Sequence, residues 1–286
     1  MSEPRVTSLA ELSAALPVDL GRSAAVRITQ EMVDVHAATT GDAQWIHNDP
    51  ERARRESPFG GPVAQGFLLL VSDGMGGAKA GEVASHFCVE RLARELFSRR
   101  RQPDRAGALR EAFVATHEAL MAQADADPAQ EGMGATLSAV WLLPDGTFHF
   151  GHVGDSRIHA GGAGSWRQLT EDQSVGAGLV RRGEMSAADV SRLRYRSMLE
   201  QVMGGEGAPL EPQIGHGEWT TGFTLGLCSD GLHGPLGEDL ARFYDQALAQ
   251  PTLADGVSWL VTQANEAGGP DNITVLLPQF VPETKA

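Results

Sequence analysis

The chain has 286 residues, 42% of them hydrophobic and 21% charged, a globular composition long enough for one large domain or two small ones. Its 23 Lys and Arg against 37 Asp and Glu leave a net charge of −14, which argues against a general nucleic-acid binder and against a polybasic membrane-surface protein. Glycine, at 34 residues, exceeds its usual ~7% share and marks tight turns or close approach of backbone to a ligand.

The segment Met1 to Gly66 holds nine acids and six bases and ends near a Pro58-Phe59-Gly60-Gly61-Pro62 loop signal. Val63 to Ser72 is an almost unbroken apolar run, within which Phe67 to Ser72 is expected to be a strand leading into the turn Asp73-Gly74-Met75-Gly76-Gly77. Helices are predicted over Glu82 to Arg101, with Val83, Phe87, Val89, Leu92 and Leu96 near one face, and over Ala106 to Ala124, with Leu109, Phe113, His117 and Leu120. The period then changes. Ala135 to Leu143 is a buried strand, Pro144-Asp145-Gly146 a hairpin turn, Thr147 to Val153 the returning strand, and Ser156 to Ala160 opens another. Glu171 to Gly205 is polar and helical in parts. Phe223 to Ser229 is a strand ending in Asp230-Gly231, Leu240 to Gln250 and Leu253 to Ala267 are helical, and Asn272 to Leu277 is a last strand. Strand runs interrupted by paired helices fit an α+β layered sandwich better than alternating βαβ units.

Cys88 and Cys228 stand far apart in apolar surroundings, so neither a disulfide framework nor a cysteine metal site is expected. No basic region followed by an apolar core stands near Met1, and no apolar run reaches membrane-spanning length. A cytoplasmic, monomeric protein without nucleic-acid or membrane partners is the expectation.

Four aspartates share a local grammar. Asp73 and Asp230 each end an apolar strand and precede a glycine, Asp271 follows Gly268-Gly269-Pro270 and precedes a strand, and Asp155 lies in Gly154-Asp155-Ser156 between two strands. Any one Asp-Gly is ordinary turn chemistry. Four carboxylates converging at one sheet end repel each other, and a hard divalent cation, Mg²⁺ or Mn²⁺, relieves that repulsion; two such ions suit phosphoryl hydrolysis.

Asp73-Gly74-Met75-Gly76-Gly77 followed by Ala80-Gly81-Glu82-Val83-Ala84-Ser85 resembles the first signature of bacterial metal-dependent serine/threonine protein phosphatases, type 2C or PPM family. Gly134-Ala135-Thr136-Leu137, Gly151 to Arg157, Leu169-Thr170-Glu171-Asp172, Cys228 to Leu232 and Asp271-Asn272-Ile273-Thr274 follow in that family's order, a match covering about Phe67 to Leu277. The resemblance implies a four-layer αββα sandwich holding two, with a weaker third, Mn²⁺ or Mg²⁺ ions. It implies that Asp73 bridges both metals, that Gly74 offers its carbonyl, that Asp230 and Asp271 ligate the second, and that Asp155 helps form the third site with Asp230. It implies direct attack of metal-bound hydroxide on a phosphoprotein, with Ser174 to about Leu210 as a substrate-contacting flap, and a bacterial Ser/Thr kinase as the activity it reverses.

The first strands of that family, with an Arg-x-x-Asn-Glu-Asp-like motif supplying a phosphate-gripping arginine and a metal-binding acid, are not evident. His47-Asn48-Asp49 is the nearest substitute, with Asp49 as the acid and Trp45 where the arginine would stand. Instead Thr40 to Ala53 and Ser57 to Leu68 resemble the catalytic segment of hot-dog-fold (R)-specific enoyl-CoA hydratases and MaoC-like dehydratases. That resemblance implies Asp42 and His47 as an acid/base pair and a central helix starting at Gly66, although Gln65 stands where a histidine is common. The chain therefore looks chimeric, joined near Gly66 to Val71. Residues 1–66 form a truncated hydratase-like segment, not an independent domain and only weakly packed, and 67–286 a phosphatase domain. Phosphatase activity impaired by the missing arginine and acid is the main expectation. A hydratase using Asp42 and His47 and a non-catalytic phosphoprotein binder are the alternatives.

Overall fold

The computed structural model describes residues 67–75, 80–143, 145–162, 164–205, 209–220 and 222–279. Asp42, His47 and Asp49 lie outside the described residues, as does the rest of the hydratase-like segment.

Two four-stranded antiparallel sheets face each other, β1-β2-β3-β6 and β5-β4-β7-β8. The first holds β1 (Phe67–Val71), β2 (Leu137–Leu142), β3 (Thr147–Val153) and β6 (Gln213–Glu218). The second holds β4 (Arg157–Gly161), β5 (Arg167–Gln168), β7 (Thr224–Cys228) and β8 (Val275–Leu276). Helices α1 (Gly81–Arg99) and α2 (Arg105–Ala126) cover the outer face of the first sheet. Helices α5 (Asp230–Leu236), α6 (Leu240–Leu248) and α7 (Leu253–Glu266) cover the outer face of the second. Between β5 and β6 lie two short helices, α3 (Val175–Arg181) and α4 (Ala187–Val190).

The layers follow from side-chain alternation. Every residue of β2 is buried. Leu137, Ala139 and Trp141 pack beneath α1 and α2, whereas Val140 and Leu142 point into the space between the sheets, with Phe148, Phe150, Ile158, Leu225 and Leu227. A strand buried on both faces loses the polar alternation of a surface strand, which is why its sequence is a continuous apolar run. The expected αββα sandwich is the observed one. The expected strand at the junction is also observed, since β1 pairs antiparallel with β2 from Phe67 opposite Leu142 to Val71 opposite Ser138. The helix that a hot-dog domain needs there is not formed.

Some boundaries differ. The last strand is only Val275–Leu276, because residues 272–274 are held by Ser229 instead of pairing along β7. Residues after the Asp230 turn form helix α5, and Gln213–Glu218 forms strand β6, neither of which was expected. The inward stripe of α1 is Ala84, Cys88, Leu92 and Leu96, with Val89 outside it. Val83, Phe87, Leu92 and Leu96 of the expected face are in or against that core, and the small Ala84 and Cys88 at its centre let the helix approach the sheet closely. Among the described residues no helix is long and apolar enough to cross a membrane.

Candidate active site at the shared sheet end

Asp73 follows the end of β1 and is fixed by Thr136, just before β2. The Asp73 amide donates to Thr136 Oγ1 at 3.0 Å, the Thr136 amide donates to the Asp73 carbonyl at 2.8 Å, and Ser72 Oγ donates to the Thr136 carbonyl at 2.6 Å. Thr136 Oγ1 also lies 2.8 Å from Ser156 Oγ, tying the Asp73 turn to the Asp155 turn. Gly74 bridges to Ala135, and the Met75 amide donates to the Gly134 carbonyl at 3.0 Å. A Cβ on Gly74 would sit 2.2 Å from the carbonyl oxygen of Gly81, so only glycine fits between β1 and the start of α1.

Asp155 occupies the turn between β3 and β4, after Gly154 at φ 106°. Gln173 brackets that turn. Its side chain accepts from the Gly154 amide and its own amide donates to the Gly154 carbonyl, both at 2.8 Å. Asp230 begins α5 at the end of β7. Its neighbour Ser229 donates its amide to the Thr274 carbonyl at 3.1 Å, and its hydroxyl accepts from the Thr274 amide at 3.1 Å and donates to the Asn272 carbonyl at 3.2 Å. These bonds carry Asp271 to Asp230. Gly231 closes the contact, because a Cβ there would meet the Asn272 carbonyl at 2.1 Å.

The carboxylates feel one another. Burial first, then the charges of Asp230 and Asp271, a hydrogen bond shared with Asp230, and Asp155 push Asp73 up to about 7. Burial, then Asp230 and Asp172, push Asp155 up to about 7. Asp230 is raised by burial and by Asp271, and its Oδ1 is buried without a hydrogen-bond partner. Asp155, Asp230 and Asp271 line an open cavity of about 570 Å³, whose wall also includes Arg157, Arg196 and His233. Asp172 grips Arg157 through both oxygens, at 2.9 Å to Nε and 2.7 Å to Nη2. Burial would raise Asp172, but those bonds and the arginine charge hold it below the ordinary aspartate range.

Among the described residues, no three His, Cys, Asp or Glu side chains converge tightly enough to enclose an ion by themselves. The donor set nevertheless suits a hard divalent cation. Its atoms are carboxylate oxygens, one of them buried with no partner, and its carboxylates are close enough to raise one another's pKa. All four aspartates singled out in the sequence are thus brought together. Thr136, Gln173 and His233, which position them, were not assigned roles from sequence. Thr136 and its neighbours were visible only as part of a motif, and nothing local marks Gln173 or His233.

A family model described as protein phosphatase 2C matches residues 61–267. The chain belongs to the protein phosphatase 2C family. A second model, described as MaoC like domain, matches residues 14–87 and overlaps the phosphatase match across β1 and the start of α1. Among curated members of the phosphatase family, the serine/threonine protein phosphatase PstP of Mycobacterium tuberculosis is 34% identical over 75% of this chain, which spans 40% of PstP's length. The serine/threonine phosphatase stp of Listeria innocua is 33% identical over 73% of this chain and 83% of its own. The crystal structure of M. tuberculosis PstP superposes with a TM-score of 0.65 at 32% identity, covering 75% of this chain and 88% of that one. A structure of the PstP catalytic domain in complex with 2 manganese ions superposes with a TM-score of 0.63.

Proposed function

We propose that this chain is a metal-dependent protein phosphatase that hydrolyses phosphomonoesters on serine and threonine side chains. The observation that carries the reading is the convergence of Asp73, Asp155, Asp230 and Asp271 at one end of the two sheets, three of them on the wall of one cavity and Asp73 near enough to feel the charge of all three. Membership of the protein phosphatase 2C family supports it. In this reading Asp73, the Gly74 carbonyl, Asp230 and Asp271 hold two Mn²⁺ or Mg²⁺ ions, Asp155 serves a third, and Asp49 is the candidate for the remaining acid. Such ions, when bound, neutralise the phosphoryl oxygens and acidify a water. The protein's own part is positioning. Thr136 sets the angle of Asp73, Ser229 brings Asp271 to Asp230, and Asp172 keeps Arg157 from folding onto the carboxylates.

Residues 67–286 are the phosphatase domain and 1–66 a hydratase-like remnant, in the same proposal, with a bacterial Ser/Thr kinase as the opposing enzyme. The hydratase alternative is disfavoured by β1, which is a strand where that fold requires its central helix. Hydrolysis of p-nitrophenyl phosphate by the purified chain, dependent on Mn²⁺ or Mg²⁺ and lost in Asp230→Ala, is the test. No nitrophenol with either ion would refute catalysis. Metal-dependent binding of a phosphopeptide without phosphate release would then identify a binding protein.

A further inference from the structure

The segment between Ser174 and Gly205 is electrostatically unlike the rest of the molecule. It has five arginines and three acids, whereas the remaining residues have 18 Lys and Arg against 34 Asp and Glu. Two of the five are neutralised locally. Arg181 lies 3.7 Å from Glu171 and 3.8 Å from Glu200, and Arg182 lies 2.7 Å from Glu184 and 3.1 Å from Glu200. The other three, Arg192, Arg194 and Arg196, alternate along one stretch. Arg192 has an exposed side chain and a carboxylate only at 3.9 Å, from Asp189. Among the described residues no carboxylate pairs with Arg194 or Arg196, and Arg196 Nη1 donates to the Leu193 carbonyl at 3.1 Å.

This stretch is anchored to the carboxylate site. Arg196 forms part of the cavity wall beside Asp155, Asp230 and Asp271. Its carbonyl accepts from the Gly176 amide at 2.9 Å, and the Met198 carbonyl accepts from the Val175 amide at 2.7 Å. The Glu200 amide donates to the carbonyl of Gln173, whose side chain brackets the Asp155 turn. The three guanidiniums are therefore carried on backbone fixed relative to the aspartates. Tyr195 and Met198, 49% and 61% exposed, stand beside them as large apolar side chains open to solvent.

We propose that Arg192, Arg194 and Arg196 select phosphopeptides with acidic residues flanking the phosphorylated side chain. The inference rests on the phosphatase reading in that the phosphoryl group occupies the cavity. A chain with net charge −14 repels an acidic peptide on balance, and this rim beside the cavity is a local exception that attracts it. A peptide chain spans at most ~3.6 Å per residue, so positions a few residues from the phosphate lie over the rim.

The test uses fluorescein-labelled peptides in which a non-hydrolysable phosphonate replaces phosphothreonine, flanked by glutamates or by lysines, titrated with the full chain and Mn²⁺. The acidic peptide is expected to bind about tenfold more tightly, the sum of a few exposed ion pairs, with the preference shrinking at high salt. R192E/R194E should erase or invert the preference and R192K/R194K should retain it, with circular dichroism confirming that both fold. Equal affinities for the two peptides, or a preference unchanged in R192E/R194E, overturn the proposal. Hydrolysis of p-nitrophenyl phosphate by the wild type reads the phosphatase assignment separately. Its absence alongside an intact charge preference would sink that assignment and leave this one standing.

Discussion

Nε2 of His233 lies 3.0 Å from the main-chain carbonyl of Asp155, 78 residues away in the chain. A carbonyl only accepts, so the histidine donates from the Nε2–H tautomer. His233 stands three residues after Asp230 on α5, so this bond adds to the β4–β7 ladder, which pairs Arg157 with Cys228, in fixing the Asp155 turn against the helix that carries Asp230. Burial, and then the charge of Arg157, push its pKa down to about 4, which keeps the ring neutral beside that guanidinium.

Replacing His233 by phenylalanine retains the bulk and removes the donor. The carbonyl of Asp155 is then left without its partner, at a cost of about 1–3 kcal/mol. The midpoint of urea unfolding should fall accordingly. Mn²⁺ affinity should drop by roughly 10–100-fold, the usual consequence of losing a group that orients a ligand. A variant with reduced stability but wild-type Mn²⁺ affinity would restrict His233 to a packing role.

Thr136 supports Asp73 in the same manner from the neighbouring strand end of the first sheet. Its hydroxyl accepts from the Asp73 amide and contacts Ser156 Oγ, and both bonds vanish in Thr136→Val. The expected loss is about 1–2 kcal/mol of stability together with at least a tenfold weaker Mn²⁺ response, while Thr136→Ser restores most of the Mn²⁺ response. Titrating activity against Mn²⁺ for the three proteins checks this. Equal curves for valine and threonine would show that the hydroxyl does not position Asp73.

The sandwich and its four aspartates were legible because strand-end carboxylates and buried strands leave strong local patterns. β2 is apolar at nearly every position since helices cover one face and the second sheet the other. β6 was not legible. Its Gly215 and Gly217 argue against a strand by propensity, yet the rings of Phe150 and Phe148 lie over them, where a Cβ would meet ring carbons at 2.3 and 2.6 Å. Likewise no local signal connects His233 to Asp155 or Gln173 to Gly154, since each bond depends on chain closure across the fold. The junction at β1 carried two incompatible signals, and antiparallel pairing with β2 decided between them.

The metal-free protein should lose stability as the pH rises above neutrality. Asp73 and Asp155, near 7 in the fold against 3.8 unfolded, hold protons that the unfolded chain has released. That contribution is complete below about pH 4 and is lost as the pH climbs through 7. His152, His159 and His233, near 4 in the fold against 6.5 unfolded, act oppositely, with stability present above 6.5 and lost on acidification through 4. The two sets offset each other in the acid range, so the aspartates dominate only from pH 6.5 to about 8. Thermal melts in a chelator should show Tm falling across that interval, and saturating Mn²⁺ should raise Tm increasingly over the same interval as protons cease to compete. A chelated Tm that rises from pH 6.5 to 8 would contradict the carboxylate coupling.

Asp230→Asn separates structure from function most directly. The substitution removes one charge from a cluster in which Asp73, Asp155 and Asp271 all repel it, and retains its shape. An amide can also donate to Asp73, which the Asp230 carboxylate otherwise repels. In the metal-free state near pH 8 the variant should therefore be more stable than the wild type, on the order of 1 kcal/mol, or ~2–4 °C in Tm for a domain of this size. Adding Mn²⁺ should reverse the order, because the wild type gains stability from binding and the variant, lacking a charged oxygen donor, gains little. Differential scanning fluorimetry of both proteins with chelator and with Mn²⁺ gives the four melting temperatures. If Asn lowers Tm under both conditions, Asp230 stabilises the start of α5 as an ordinary helix-terminal residue, and the carboxylate cluster is not a cation site.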